Sequence, residues 1–213
     1  MVETGRRTYH SPLREEQART TRRAIVEAAR DLFLEQGYSG TTIDAVAARA
    51  GVSRKTVFTA VGGKAALLKV AWDWALVGDD EPVPMVDRPA VRELQAATDP
   101  DVLLGIWPRF AGEVTARITG LHAVLTAAAD VDPEAAAIDA KSEQDRYAGA
   151  LAFVRGLAAL GGLRPDLTEE RAAQVAATLM DPLPYRRLVV DAGWTFDEYA
   201  DWLERMARAS FQA

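Results

Sequence analysis

Between residues 19 and 36 the apolar positions fall at Ile25, Ala28, Ala29, Leu32 and Phe33. Steps of three and four place them on one face of a helix. Gly37 is the natural residue to stop it. A second, short helix follows, with Ile43, Ala47 and Ala50 on one face and Val46 adjoining. Thr41 and Asp44 stand three apart, the spacing of a capping box, and Gly51 ends the segment. Ser53 caps a third helix from 54 to about 60, whose inward residues are Val57 and Val61. Residues 64–77 predict a fourth, with Leu67, Leu68, Ala71, Trp72 and Ala75 on one side.

The acidic, proline-rich loop 78–89 marks a boundary. Helical patterns resume at 90–97 and at 101–130, where Pro108 predicts a kink and Gly120 a break. Asp132 and Pro133 start a helix to about 160, ended by Gly161 and Gly162. Thr168 caps a helix to about 180, residues 181–190 form a further stretch, and Thr195 caps the last helix, bearing Phe196, Tyr199, Leu203, Met206 and Phe211. No stretch alternates with the period of a strand, so the fold class is all-α. The polar segment 1–17, with Gly5 and Pro12, reads as a flexible arm. A small helical unit at 18–64 and a larger helical one at 65–213 follow.

The 213 residues are 49% hydrophobic and 26% charged, a soluble globular balance. With no cysteine, the chain has no disulfide, thiolate metal site or cysteine nucleophile. No run approaches the ~18 apolar residues of a membrane span, and the N-terminus lacks the apolar core of a signal peptide, so the expectation is a cytoplasmic protein without a membrane partner. Enzyme chemistry finds no foothold, and no cofactor is expected. Only His10 and His122 are available, and the Gly62-Gly63-Lys64 triplet is followed by Ala65 where a phosphate-binding loop needs Ser or Thr.

Charge changes the picture. Residues 1–70 carry 12 basic and 7 acidic side chains, a net of +5, whereas residues 71–213 carry 13 and 24, a net of −11. The basic end can dock on phosphates although the whole chain is acidic. It also holds two short helices joined by Ala50-Gly51-Val52-Ser53, the dimensions of a helix-turn-helix. Gly51 permits a left-handed turn, Val52 plugs the gap, and Ser53 caps the second helix while keeping a hydroxyl to donate. That helix turns Arg54, Lys55, Thr56 and Thr59 outward, the donors that phosphates and base edges require.

The stretch IVEAARDLFLEQGYSGTTIDAVAARAGVSRKTVFTAVGGKAALL resembles the N-terminal domain of the TetR family of transcriptional regulators, without a gap over 23–68. The C-terminal segment 181–211 also resembles a tail common in that family; the middle matches only in helical character. The resemblance implies a three-helix DNA-binding domain followed by a helical ligand-binding and dimerisation domain. It implies a phosphate contact at Thr42, major-groove contacts at Arg54, Lys55, Thr56 and Thr59, and a phosphate held by Lys64. The family usually has Tyr where this chain has Phe58, which cannot donate; Phe58 is read as structural. Arg6, Arg7, Arg14, Arg19, Arg22 and Arg23 are read as a solvated tail that adds non-specific attraction, the alternative being a minor-groove arm.

The same resemblance implies a homodimer formed through helices near 133–160 and 168–180, both rich in alanine, and a double-stranded DNA operator with two-fold pseudo-symmetry. It implies a small-molecule effector of unidentified structure in a cavity. Candidates to line it are Trp107, Phe110, Arg117, Leu121, His122 and Leu125, with Tyr147, Phe153 and Met180 opposite. The fourth helix, 64–77, would couple the two domains. The function expected is a ligand-responsive repressor; the alternative is an all-helical interaction scaffold without specific DNA binding.

Overall fold

The computed structural model describes residues 12–212, and every regular element among them is helical. The chain divides into two compact units between Ala71 and Trp72, about two helical turns beyond the boundary expected at 64/65.

The first unit contains α1 (Pro12–Gly40), α2 (Ile43–Arg49), α3 (Arg54–Ala60) and the start of α4 (Lys64–Val77). The predicted apolar face of α1 is its buried face: Ile25, Ala29 and Phe33 are fully buried, with Leu32 and Ala28 nearly so. Val46 from α2, Val57 from α3, and Leu67 and Leu68 from α4 complete the core. Each such aliphatic side chain contributes roughly 1.5–3 kcal/mol by leaving water.

Helical geometry breaks at Gly37, whose φ of 71° is open to glycine, and the Thr41 hydroxyl donates to the Gly37 carbonyl at 2.8 Å. Thr41 is thereby buried in the turn. The cap of α2 is Thr42 rather than Thr41, its oxygen accepting from the Ala45 amide at 3.1 Å. At its other end α1 begins at Pro12, so residues 12–17, expected in a flexible arm, are its first turns. Proline suits the first turn, and Glu15 complements the positive end of the helix dipole. Residues 1–11, including Arg6 and Arg7, lie outside the described residues.

The second unit is organised around α6 (Pro100–Ala129), which packs against α7 (Pro133–Ala159) and α10 (Phe196–Phe211), while α8 (Glu169–Leu179) packs on α7 and α10. Between them run α5 (Pro89–Ala96), preceded by a 3-10 turn at Met85–Asp87, and α9 (Pro182–Tyr185), which passes into a π-helical stretch at Arg186–Asp191. The caps are those expected: Asp132 for α7, Thr168 for α8, and Thr195 for α10, where Glu198 closes a full capping box. The expected break at Gly120 is absent. Gly120 is exposed, but Ile118, Thr119, Leu121, Val124 and Leu125 around it are buried, and that burial outweighs a glycine cost of roughly 1 kcal/mol.

The core of this unit stacks Trp107 on Phe153, centroids 4.2 Å apart, with Phe211 edge-on to Phe153 at 5.8 Å. Ala150 on α7 and Ala172, Ala173 and Ala176 on α8 are fully buried within the chain. Part of the alanine surface expected to face a second subunit is therefore used internally. Ala137, Ala148, Ala152 and Ala159 are exposed.

Candidate functional site

Two short helices and a four-residue turn position the first site. After α2, Gly51 adopts φ 68° and the Val52 amide donates to the Ala47 carbonyl at 2.9 Å, which reverses the chain. Ser53 then caps α3: its oxygen accepts from the Thr56 amide at 3.1 Å and lies 2.8 Å from the Thr56 hydroxyl. Val57 is the fully buried anchor of α3. Because one residue holds the helix to the core, the opposite face is left to solvent.

That face carries Arg54, Lys55, Phe58 and Thr59, all exposed, with Thr56 half-buried at the edge. Arg54 donates to Asp44 of α2 at 2.8 Å, and its guanidinium lies 5.7 Å from the Phe58 ring centroid. Thr59 donates to the Lys55 carbonyl at 2.9 Å. Exposed Thr42 stands at the start of α2. Six of the seven predicted DNA-facing residues, Thr42 through Thr59, thus cluster on the helix-turn-helix.

The seventh, Lys64, is engaged in the fold. Its ammonium donates to the Tyr38 carbonyl at 3.0 Å and lies 4.2 Å from the Tyr38 ring centroid, fixing the start of α4 to the end of α1. Arg22 is also committed: it donates to the Ala60 carbonyl and satisfies the last turn of α3. Arg49 makes a paired contact with Glu35 at 2.8 and 2.7 Å, bracing α2 on α1, and holds the Glu35 carboxyl below its ordinary pKa. Phe58, read as packing, is 46% exposed; it lies one turn from Arg54 and so shares the outward face.

The second site is a cavity of about 520 Å³ within the second unit. Trp107 and Phe110 of α6, Phe153 of α7, and Met180 line it, as the sequence led one to expect. Leu94, Gln95 and Val91 of α5, with Met85 and Val86 before it, form a wall that the sequence reading missed. So do Gly149, Ala152, Gly156 and Ala159 along α7. The available signals were the spacing of Val91 and Leu94 on α5 and the recurrence of small residues every three to four positions on α7.

Arg117, His122, Tyr147, Leu121 and Leu125 do not line this cavity. Arg117 caps the end of α4, donating to the carbonyls of Ala75 and Leu76 at 3.1 Å each, and burial pushes its pKa down. His122 lies against Trp72, ring centroids 6.3 Å apart, and Tyr147 packs against the core. Among the described residues no cluster of His, Asp or Glu could hold a metal ion.

Residues 25–71 match the family described as bacterial regulatory proteins, tetR family. A 48-residue stretch is 44% identical to the uncharacterized HTH-type transcriptional regulator YdeS of Bacillus subtilis (strain 168), covering 22% of this chain. The match spans about a quarter of that relative's length, 24%. Solved structures share the fold along most of the chain. NalD, the secondary repressor of the MexAB-OprM multidrug efflux pump in Pseudomonas aeruginosa, superposes with a TM-score of 0.64 at 21% identity, over 92% of this chain and 98% of that one. A protein of Saccharomonospora viridis solved in complex with choline gives 0.66 at 18% identity, over 89% and 96%. A TetR-family member from Streptomyces coelicolor A3 gives 0.59 at 21%, over 87% and 97%. The helix-turn-helix is built from the residues that match the tetR family of bacterial regulatory proteins.

Proposed function

We propose that the protein is a ligand-responsive transcriptional repressor that binds a pseudo-palindromic operator as a homodimer. The observation that carries the reading is the outward face of α3: Arg54, Lys55 and Thr59 exposed together on a helix pinned at its back by Val57. A helix so presented fits a major groove, where arginine and lysine read guanine and neighbouring donors hold phosphates. Two copies related by a two-fold axis would set their recognition helices about 34–36 Å apart, one turn of DNA. The apolar cavity supports an effector site. An effector that binds more tightly to a form unable to engage both half-sites would release the operator by that difference in affinity.

The test is selection of bound sequences from random duplex DNA, followed by a salt titration on the recovered site. Recovery of a pseudo-palindrome bound in the nanomolar range supports the reading. Only weak binding, indifferent to sequence and abolished by salt, refutes it in favour of an interaction scaffold.

A further inference from the structure

We infer that the cavity of the second unit selects a neutral, mainly hydrocarbon molecule with at most one polar group, and rejects ions. This rests on the reading of that cavity as the effector site and names the class of effector. Its volume, about 520 Å³, lies within the usual range for small-molecule sites, roughly 300–1,000 Å³. Its lining carries no charged side chain, and Gln95, at the rim, is the one side-chain amide. An ion entering it would shed water and meet no countercharge, which is costly.

The arginines on the helices that form the walls are directed elsewhere. On α6, Arg109 pairs with Asp197 at 2.9 Å, and Arg117 is bound to the end of α4. On α7, Arg146 pairs with Glu143 and Asp181, and Arg155 lies 3.6 Å from Glu169. On α5, Arg92 turns to Asp87 at 3.4 Å. None of these is offered to a carboxylate or phosphate in the cavity. A quaternary amine meets no acid in the lining, and the stacking of Trp107 on Phe153, at 4.2 Å and 14° between planes, takes up one face of each ring, so that Phe110 and the outer faces of these two rings are the attraction left to set against its loss of water.

The space exists because the α7 wall is small. Gly149, Ala152, Gly156 and Ala159 follow one stripe, and a side-chain carbon added at Gly149 would meet nothing within 4 Å. The opposite wall is the aromatic surface of Trp107 and Phe110. An apolar molecule fits between them by exclusion of water alone.

The test uses two dyes with the same ring system, neutral N-phenyl-1-naphthylamine and anionic 8-anilino-1-naphthalenesulfonate, titrated into the full chain by fluorescence. The neutral dye should bind at least about tenfold more tightly, and choline should not displace it. Gly149→Leu, with Ala152→Phe as a second variant from the same wall, should weaken the neutral dye about tenfold or more while circular dichroism and the melting temperature hold. Equal or tighter binding of the sulfonate, displacement by choline, or dye binding unchanged in both folded variants would overturn the inference. If the neutral dye binds as expected but leaves operator affinity unmoved, the effector reading fails and the chemical class of the cavity stands.

Discussion

At the scale of single residues, the same side-chain type takes unlike roles according to where the turn of a helix leaves it. Lys55 stands exposed on α3, whereas Lys64 is held by the carbonyl and ring of Tyr38. Arg54 is exposed, whereas Arg22 closes the end of α3. Glycines divide in the same way. Gly149 has open space beside it, but a side-chain carbon at Gly162 would fall 2.4 Å from the Pro100 ring and 2.6 Å from Leu157. A proline ring cannot rotate aside, so the α7–α8 connection would have to shift. Gly162→Ala should therefore destabilise the protein by about 1–3 kcal/mol in urea unfolding. A destabilisation no larger than a few tenths would mean that this connection is pliant.

At the scale of elements, the caps and faces were legible in the sequence because their causes are local. Thr195, Thr168 and Asp132 sit where an oxygen can reach amides two to three residues on, and the spacing of Ile25, Ala29, Leu32 and Phe33 fixes a face. What was not legible depends on partners distant in sequence. Periodicity tells which way a side chain points, not how far along the axis its neighbour lies. Arg117 stands seven residues beyond Phe110, or about 10 Å along α6, which carries it past the cavity to the end of α4. Gly120 continues a helix because buried neighbours hold it there. Phe58 departs from the expected packing role because Val57 already takes the inward position.

One link between elements can be tested by pH. Asp101, at the start of α6, accepts from Gln212 and from Arg208 near the end of α10, at 2.8 Å each. The hydrogen bond from Gln212, then that from Arg208, holds its carboxyl below the ordinary aspartate value. A depressed folded-state pKa means that the link contributes fully above the unfolded value near 4 and is lost as pH falls through the lower, folded value. Asp101→Asn should accordingly lower the melting temperature near neutral pH, and the gap from the parent protein should close below about pH 4. A gap independent of pH would assign the effect to packing instead.

At the scale of the whole molecule, the charge is divided between a basic first third, net +5 over residues 1–70, and an acidic remainder, net −11. Under the proposed function, phosphate attraction would come from few side chains acting at short range, since distant charges are screened beyond about 8–10 Å at physiological salt. A cationic side chain on a phosphate releases counterions, so log K falls with log salt by about 0.9 per phosphate neutralised. A side chain bonded to a base edge does not follow that rule. Lys55→Ala and Arg54→Ala can thus be told apart on one operator. Removing a residue that neutralises a phosphate should weaken binding to all sequences and make the slope shallower by about one. Removing a residue that reads guanine should cost about 1–3 kcal/mol and relax preference at one base pair. Arg54 is already steadied by Asp44 and the Phe58 ring, which orders its guanidinium for a planar partner. Its removal should show mainly as relaxed preference, and that of Lys55 mainly as a shallower slope. An operator titration in which neither variant changes slope or preference would mean that α3 does not enter the groove.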